Sequence, residues 1–424
     1  MNDINNPSLS SWISVPESSD FPIQNIPFGI IRYEGVSPRA ASRIGDKVID
    51  LYSLATLGYF HDLHIVPEVF LKPSLNDFIS LGRPTWRAVR SRLMELFESG
   101  NTFLRERVKD HSVIIHAIHE VEMLLPVEVG DYTDFYSSIE HATNVGIMFR
   151  DPENALLPNW RHIPVGYHGR SSSIVVSGTP IHRPKGQTKS DGAEHPEFGP
   201  SNQVDFELEM AFIAGKKSSL GDSIPVKEAE EYIFGMVLFN DLSARDIQKW
   251  EYVPLGPFLG KNFGSVASPW IVTLDALETF RVEGPKQEPD VLPYLQSEGS
   301  RNFDIQLDVL IQPDGGTAHR VCHSNFKFMY WNMSQQLAHH TVNGCNINVG
   351  DMYASGTISG HVPGSFGSML EIAWKGTRPV QMPDGSERKF IHDNDTIIMR
   401  GYAVRNGLRI GFGEVTTRIL PAKK

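Results

Sequence analysis

The spacing of apolar residues changes along this chain, and the change divides it near residue 125. Before that point the clearest pattern is helical and covers Pro84–Ser99, where a proline suits the first turn. A weaker helical pattern covers 112–121. Residues 42–51 alternate as a short hairpin that turns at Gly45-Asp46, and the Ser-, Pro- and Asn-rich residues 1–40 predict a loosely structured arm.

Period-two alternation and short apolar runs dominate after residue 125 and predict a β-rich domain. The final ribbon turns at Asn406-Gly407, a strong signal for a type I′ turn. One helix is predicted at 324–340. The main predicted strands are 173–178, 204–213, 234–239, 303–311, 369–374 and 396–402.

Composition narrows the class of protein. The chain has 424 residues, of which 40% are hydrophobic and 21% charged, as in globular proteins. A formal charge of −11 without a Lys/Arg run argues against a nucleic-acid partner. No signal peptide and no membrane-spanning segment is recognisable, and two separate cysteines suit a reducing compartment. We expect a cytoplasmic β-rich α+β protein of two domains, 1–125 and 126–424.

Three acidic residues alternate with apolar ones in the predicted strand at 204–213. Asp205, Glu207 and Glu209 share one strand face, while the residues between them share the other. The Cβ atoms of Glu207 and Glu209 are then about 6.6 Å apart, close enough for both carboxylates to reach one cation. A solvated strand face is the alternative interpretation, although neighbouring like charges favour a neutralising partner.

A second group of polar residues follows the predicted strand at 234–239. Asp241 ends that strand, and Ser243 with Asp246 has the spacing of a helix N-cap. Lys261 lies in a Gly/Pro-punctuated loop beyond the helix. An ordinary amphipathic surface helix fits this pattern, and so does a helix whose one face binds an oxygen-rich ligand through Arg245, Gln248 and Tyr252.

A loop entering a short helix is predicted over residues 131–146. Ser137 and Glu140 have the spacing of a capping box, which places Asp134 just before the helix and His141 in its second turn. Spacing alone does not distinguish a catalytic histidine from a packed or solvated one.

Motifs along the whole chain resemble the fumarylacetoacetase family. An N-terminal motif, Asp20-Phe-Pro-Ile-Gln-Asn25, is among them. The resemblance implies a small SH3-like N-terminal domain with flanking helices, then a larger mixed β-sandwich roll, in a homodimer. The other motifs include Gly130-Asp-Tyr-Thr-Asp134-Phe-Tyr136, His141-Ala-Thr-Asn-Val-Gly146, Pro164-Val-Gly-Tyr167, Phe206-Glu-Leu-Glu209, Ser243-Ala-Arg245-Asp-Ile-Gln248, Ala354-Ser-Gly-Thr357 and Ser365-Phe-Gly-Ser-Met-Leu-Glu371.

The resemblance also implies roles for particular residues. His141 matches the general base and Glu371 the acid that orients it, while Arg245, Gln248 and Lys261 oppose developing charge. All-oxygen metal ligands favour Ca²⁺ or Mg²⁺. The implied metal site consists of Asp134, Glu207, Glu209 and Asp241, with Lys261 and Ser265 beside it. The implied substrate site consists of Tyr136, Arg150, Tyr167, Gln248, Tyr252 and Thr357.

The family implies hydrolysis of the carbon–carbon bond of a dicarboxylate diketone, 4-fumarylacetoacetate, to fumarate and acetoacetate in tyrosine and phenylalanine breakdown. Two positions depart from the family pattern: Leu242 stands where it has Trp, and Ser265 where it has Thr. An acylpyruvate hydrolase is one alternative function. A non-catalytic, calcium-stabilised binding module is another.

Overall fold

In the computed structural model, which describes residues 6–424, the N-terminal domain is built on one five-stranded antiparallel sheet of order β4-β3-β2-β1-β5. Four helices surround this sheet. The strands are β1 (Phe28–Tyr33), β2 (Val36–Ile44), β3 (Lys47–Asp50), β4 (Ile115–Ala117) and β5 (Glu122–Leu124). The helices are α1 (Leu51–Thr56), α2 (Asn76–Ser80), α3 (Arg83–Phe97) and α4 (Val108–Ile114).

Two of the N-terminal predictions are confirmed and two are wrong. The hairpin turn at Gly45-Asp46 joins β2 to β3, and α3 occupies the predicted helix. The helix predicted at 112–121 is wrong because residues 115–117 pair with β3 as an edge strand. The loose arm over 1–40 is wrong from β1 onward, since its apolar residues are buried; residues 1–5 lie outside the described residues.

Two sheets form the body of the larger C-terminal domain. The eight-stranded sheet runs β7-β6-β22-β13-β14-β16-β8, with β17 also paired to β14, and the five-stranded sheet runs β21-β20-β25-β26-β9. The strands are β6 (Tyr132–Phe135), β7 (Gly166–His168), β8 (Ile174–Val176), β9 (Ile181–His182), β10 (Lys185–Thr188), β11 (Glu197–Pro200), β12 (Val204–Asp205), β13 (Leu208–Ala214), β14 (Ile233–Asp241), β15 (Ser243–Ala244), β16 (Ser265–Ala267), β17 (Val272–Thr273), β18 (Arg281–Val282), β19 (Asn302–Phe303), β20 (Gln306–Gln312), β21 (His319–Asn325), β22 (Met352–Ala354), β23 (Val380–Gln381), β24 (Glu387–Arg388), β25 (Thr396–Arg405) and β26 (Leu408–Leu420).

Helices in the C-terminal domain are short. The α-helices are α5 (Ile139–Phe149), α6 (Arg245–Glu251), α7 (Leu274–Leu277), α8 (Met333–Thr341) and α9 (Met369–Ile372). Short 3₁₀ segments in the described chain cover His61–Leu63, Pro67–Phe70, Ile118–Glu120, Pro152–Asn154, Ser171–Ser173, Val226–Tyr232, Glu278–Phe280, Pro293–Leu295, Phe326–Phe328 and Pro363–Ser365. Within residues 6–424 no helix has the length and apolarity needed to span a membrane.

The eight-stranded sheet is buried on both faces. Along β13, Met210 and Phe212 pack into the core shared with the five-stranded sheet, while Ala211 and Ile213 pack into the core of the N-terminal domain. Phe234 on β14 also enters the N-terminal core, where its ring lies edge-on to Trp86 at 4.8 Å between centroids. The core of the N-terminal domain is therefore shared by residues of both domains.

Several C-terminal strand predictions are confirmed, and four elements differ. The predicted strand at 204–213 is interrupted at residues 206–207 between β12 and β13, and the one at 303–311 is interrupted at residues 304–305 between β19 and β20. The predicted helix at 324–340 begins late, because residues 319–325 are held in β21 by pairing with β20. The predicted strand at 369–374 is wrong: the short helix α9 replaces it, and it begins where backbone N–H groups meet the carboxylate of Asp205.

Candidate active site

Four carboxylates meet at one end of the interior strands of the eight-stranded sheet. Asp134 lies on β6, Glu209 on β13, Asp241 at the end of β14, and Glu207 in the break before β13. Oxygen atoms of the four lie within 4.8 Å of one another, and all four side chains are buried. The alternation read from the sequence thus places Glu207 and Glu209 together, and the sheet order brings the other two beside them.

Lys261 and Ser265 lie against this cluster. The Nζ atom of Lys261 is 2.6 Å from Glu207 Oε2 and 2.8 Å from Asp241 Oδ2, and the Ser265 hydroxyl donates to Asp241 Oδ1 at 2.7 Å. Burial alone would raise the pKa of Glu207, but Lys261 and Arg245 hold that pKa below its ordinary value. Glu207 and Asp241 are therefore the two carboxylates of the cluster that the protein itself pairs with a cation.

Asp134 and Glu209 have no such cation partner among residues 6–424. Burial, reinforced by the neighbouring carboxylates, raises the pKa values of Asp134 and Glu209 well above normal. Asp134 Oδ1 and Glu209 Oε1 are buried without a hydrogen-bond partner. Buried polar atoms without partners are costly, and a cation bound between these oxygens would satisfy both. An all-oxygen, multiply anionic donor set fits a hard divalent cation.

A histidine and a glutamate form a buried pair beside the cluster. His141 lies in the first turn of α5, and its Nδ1 is 2.6 Å from Glu371 Oε2 on α9, which packs against α5. Burial alone would raise the pKa of Glu371, but His141 and hydrogen bonds from Asn144 and Ser359 lower it. An ionised Glu371 accepts from Nδ1–H, so Nε2 of a neutral His141 is left as the proton acceptor.

Sequence reasoning missed the other donors to Glu371. Asn144 donates to Oε1 at 2.9 Å, and the hydroxyls of Ser359 and Ser368 each donate to Oε2 at 2.9 Å. Asn144 stands three residues after His141 on the same helix face, a spacing that offered a usable signal. Ser368 stands three residues before Glu371, the Ser-x-x-Glu spacing of a helix N-terminus, so a local signal existed there too, whereas Ser359 lies 12 residues before Glu371 and has no such spacing.

Arg245 connects the cluster to α6. Its Nη1 is 2.7 Å from Glu207 Oε1, its Nε donates to Asp205 Oδ2 at 2.8 Å, and its Nη1 reaches Gln248 Oε1 at 3.3 Å. Burial alone would lower the pKa of Arg245, but Asp205 and Glu207 raise it above normal. Its Nη2 is buried without a partner, which leaves a charged donor for a ligand oxygen.

Both capping predictions near the site are wrong by a small shift. Ser138, not Ser137, caps α5, because its hydroxyl accepts from the His141 N–H at 3.2 Å. Ser243 does not cap α6; it lies on β15, and its hydroxyl donates to Glu207 Oε1 at 3.2 Å. Ser243 thus supports a carboxylate of the cluster.

The predicted substrate residues fall into an inner and an outer group. Tyr136 is edge-on to His141 with ring centroids 5.3 Å apart, and the Tyr167 hydroxyl is 3.5 Å from Asp241 Oδ2. Thr357 has a buried hydroxyl without a partner. Two residues lie farther out: Arg150 donates to the carbonyl of Ala155, and Tyr252 is 54% exposed after α6.

Two family models match this chain, one in each domain. The family described as fumarylacetoacetase N-terminal matches residues 24–126, and the family described as fumarylacetoacetate (FAA) hydrolase C-terminal matches residues 132–420. A solved structure, a fumarylacetoacetate hydrolase from psychrophilic Exiguobacterium antarcticum, is similar in fold, with a TM-score of 0.53, 17% identity, and coverage of 94% of this chain and 100% of that one. Fold and matched families define an enzyme, a hydrolase with a mixed α/β fold.

Closer relatives identify the family. The chain is 52% identical over 414 residues to the fumarylacetoacetase of Bos taurus, covering 97% of this chain and 99% of that protein. It is 53% identical over 422 residues to that of Dictyostelium discoideum, with 98% and 99% covered, and 48% identical over 417 residues to that of Arabidopsis thaliana, with the same coverage. The chain belongs to the fumarylacetoacetase family. The predictions of the family and of an enzyme are confirmed, and the binding-module alternative is set aside.

Proposed function

We propose that this chain hydrolyses the carbon–carbon bond of 4-fumarylacetoacetate to fumarate and acetoacetate, the last step of tyrosine and phenylalanine breakdown. The 2.6 Å pair of His141 and Glu371, with His141 close enough to Glu207 of the carboxylate cluster to help lower its pKa, is the observation that carries the proposal. A β-diketone needs an activated water and a stabilised enolate leaving group, and this arrangement offers residues for both.

In the proposed reaction His141 takes a proton from water at Nε2, while Glu371 holds the opposite side of the ring. The water oxygen bonds to a carbonyl carbon of the diketone, whose oxygen becomes negatively charged. The carbon–carbon bond then breaks, its electron pair forms the enolate of acetoacetate, and the proton held by His141 is returned to that carbon. Arg245, Gln248 and Lys261 face the negative charge at these stages.

We further propose that Asp134, Glu207, Glu209 and Asp241 hold Ca²⁺ or Mg²⁺, with Lys261 and Ser265 beside it. The unpartnered oxygens of Asp134 and Glu209 support this assignment. When bound, such a cation supplies Lewis-acid charge neutralisation for an anionic diketone. The substrate is proposed to lie among Tyr136, Arg150, Tyr167, Gln248, Tyr252 and Thr357.

The finer architecture is also a proposal. The five antiparallel strands of the N-terminal domain support an SH3-like fold over 1–125. The shared core between two sheets supports a sandwich roll over 126–424. A homodimer is proposed from the family resemblance. Two free cysteines, Cys322 and Cys345, support a cytoplasmic location.

The function is tested by following the loss of diketone absorbance with purified protein. We expect turnover of 4-fumarylacetoacetate to exceed turnover of acylpyruvates. His141→Ala should reduce the rate to near background while the circular dichroism spectrum stays unchanged. Faster turnover of acylpyruvates would assign the chain to that substrate class, and a fully active His141→Ala protein would remove His141 as the base.

A further inference from the structure

We propose that Asp205 is a positioning residue that fixes Arg245 and the start of helix α9 to one anchor, and so holds the two halves of the reaction centre in register. No pattern in the sequence assigned a role to Asp205 beyond its place on an acidic strand face. The kinetic part of this proposal rests on the proposed function. Its structural part does not.

Both carboxylate oxygens of Asp205 are engaged by donors from different elements. Oδ2 accepts from Arg245 Nε at 2.8 Å and from the Leu370 N–H at 3.0 Å, and Oδ1 accepts from the Met369 N–H at 2.7 Å. The side chain is fully buried. Three donors on one buried carboxylate fix both groups that contact it.

The two groups held by Asp205 lead to different parts of the site. Arg245 begins α6 and presents its unpartnered Nη2, the donor proposed to face developing negative charge. Met369 and Leu370 begin α9, and the next residue is Glu371, which binds His141. Asp205 therefore connects Arg245, the proposed charge-stabilising donor, to Leu370, the residue directly before Glu371.

Local pairing makes Asp205 a rigid anchor. Asp205 lies on β12 opposite Ser243 of β15, two residues before Arg245. Two residues further on, Glu207 forms a bridge with Ser368, which precedes α9. The backbone thus brings β12, α6 and α9 together on both sides of the carboxylate.

The remaining contacts of Arg245 do not replace Asp205. Its other charged partner is Glu207, but Glu207 is also bound by Lys261 and by the hydroxyl of Ser243. Without Asp205, Glu207 would be the one carboxylate left to position the Arg245 guanidinium among the described contacts. Two N–H groups at the start of α9 would also lose their acceptor. A neutral asparagine in this place turns an N–H₂ group toward one of the three donors.

Asp205→Asn is the test variant, measured in the metal-supplied full-length protein. We expect kcat to fall about 10- to 100-fold, the range found when residues behind a catalytic or metal-binding group are changed, with KM changed less than about threefold. The matched control is Asp395→Asn. Asp395 is buried and pairs with both Arg388 Nε at 2.7 Å and Nη2 at 2.9 Å, and it accepts from the His392 N–H. The control should lose stability yet keep its kcat.

Double-mutant cycles separate positioning from general destabilisation. The kcat loss caused by Asp205→Asn should shrink in an Arg245→Ala background and also in a Glu371→Gln background, because each removes one group that Asp205 holds. An undiminished loss in either background overturns the shared anchor, and so does an unchanged kcat in a folded Asp205→Asn protein. If Asp205→Asn does not fold, Asp205→Glu, which keeps the charge, is taken through the same cycles.

A measurement without substrate keeps this proposal independent of the reaction. The proton expected on His141 Nδ1, hydrogen bonded to Glu371, should give a low-field NMR resonance that is identified by its loss in His141→Gln. Asp205→Asn should shift this resonance, and Asp395→Asn should leave it in place. An unshifted resonance overturns the link to α9. Failure of the wild-type protein to hydrolyse 4-fumarylacetoacetate would instead overturn the proposed function alone.

Discussion

Replacing Glu371 by glutamine tests the proposed base without removing any atom of the histidine. Glu371 accepts from His141, Asn144, Ser359 and Ser368, so its carboxylate meets only donors. A glutamine amide must turn its N–H₂ group toward some of them. If the N–H₂ faces His141, it donates to Nδ1 and moves the imidazole proton to Nε2, where the base is needed.

The size of the effect follows from these contacts. A histidine with its proton on the wrong nitrogen is not a base, and the comparable change in a Ser-His-Asp site lowers kcat about 10⁴-fold. At about 1.4 kcal/mol per tenfold, a loss of 10³- to 10⁴-fold corresponds to about 4–5 kcal/mol of transition-state stabilisation. The misplaced donor in this buried network should also lower the free energy of unfolding by about 1–3 kcal/mol.

The assay is initial-rate absorbance with saturating 4-fumarylacetoacetate, together with urea unfolding of the same preparations. Glu140→Gln is the control, because Glu140 lies on the same helix and its Oε1 is 3.0 Å from Nδ1 of the exposed His361. That pair has no place in the proposed reaction. We expect Glu140→Gln to retain kcat within about threefold.

Either of two results would refute this account of Glu371. A folded Glu371→Gln protein that keeps kcat within about tenfold of wild type would show that the orientation of His141 is not limiting. An equal loss of kcat in Glu140→Gln would show that removing any carboxylate near α5 lowers kcat, so the loss in Glu371→Gln could not be attributed to the tautomer of His141.

Three further predictions concern metal removal, pH and the shared core. Exhaustive chelation should lower the thermal midpoint and abolish turnover, and Ca²⁺ or Mg²⁺ at a hundred times its Kd should restore about 2.7 kcal/mol of stability; an unchanged midpoint in calorimetry would contradict a bound cation. Burial is the main cause that lowers the pKa of His340 to about 4; the nearby His168 and His339 contribute to this shift, and Asp131 partly opposes it. Because an unfolded histidine titrates near 6.5, stability should be complete above about pH 6.5 and fall by up to about 3 kcal/mol toward pH 4. Urea unfolding of His340→Gln should show a flatter pH profile, and an identical profile would exclude His340 as the source. Phe234→Ala should cost about 3–5 kcal/mol of unfolding free energy in the same assay without altering KM, because its ring packs against Phe28, Phe78 and Trp86; a cost below 1 kcal/mol would contradict a shared core.

The strongest local patterns predicted their elements correctly. The helical period of Pro84–Ser99 and the turn at Gly45-Asp46 are properties of a few adjacent residues, and both elements form. The Asn406-Gly407 turn forms likewise, with φ values of 52° and 79°. Elements that depend on pairing with distant strands were misassigned, as residues 115–117 show.

The candidate active site likewise has features that local sequence patterns predicted and features that they did not. The alternation at 205–209 correctly places Glu207 and Glu209 on one side, since a strand of period two imposes it. Helix α9 was read as a strand, because what begins it is the Asp205 carboxylate, contributed by residues more than 160 positions away. The contact between Asn144 and Glu371, which are 227 positions apart, likewise exists only in the folded chain.

Strand β13 has a consequence for how the gene can change. Glu209 belongs to the carboxylate cluster, Met210 packs into the core between the two large sheets, and Ala211 packs into the N-terminal core. Successive residues of this strand thus have different environments. Gain or loss of one codon inside this strand would move every side chain beyond that point to the opposite face of the sheet. Substitutions can be sampled singly there, whereas we expect in-frame insertions and deletions of a single residue to be eliminated in a library selected for growth on tyrosine.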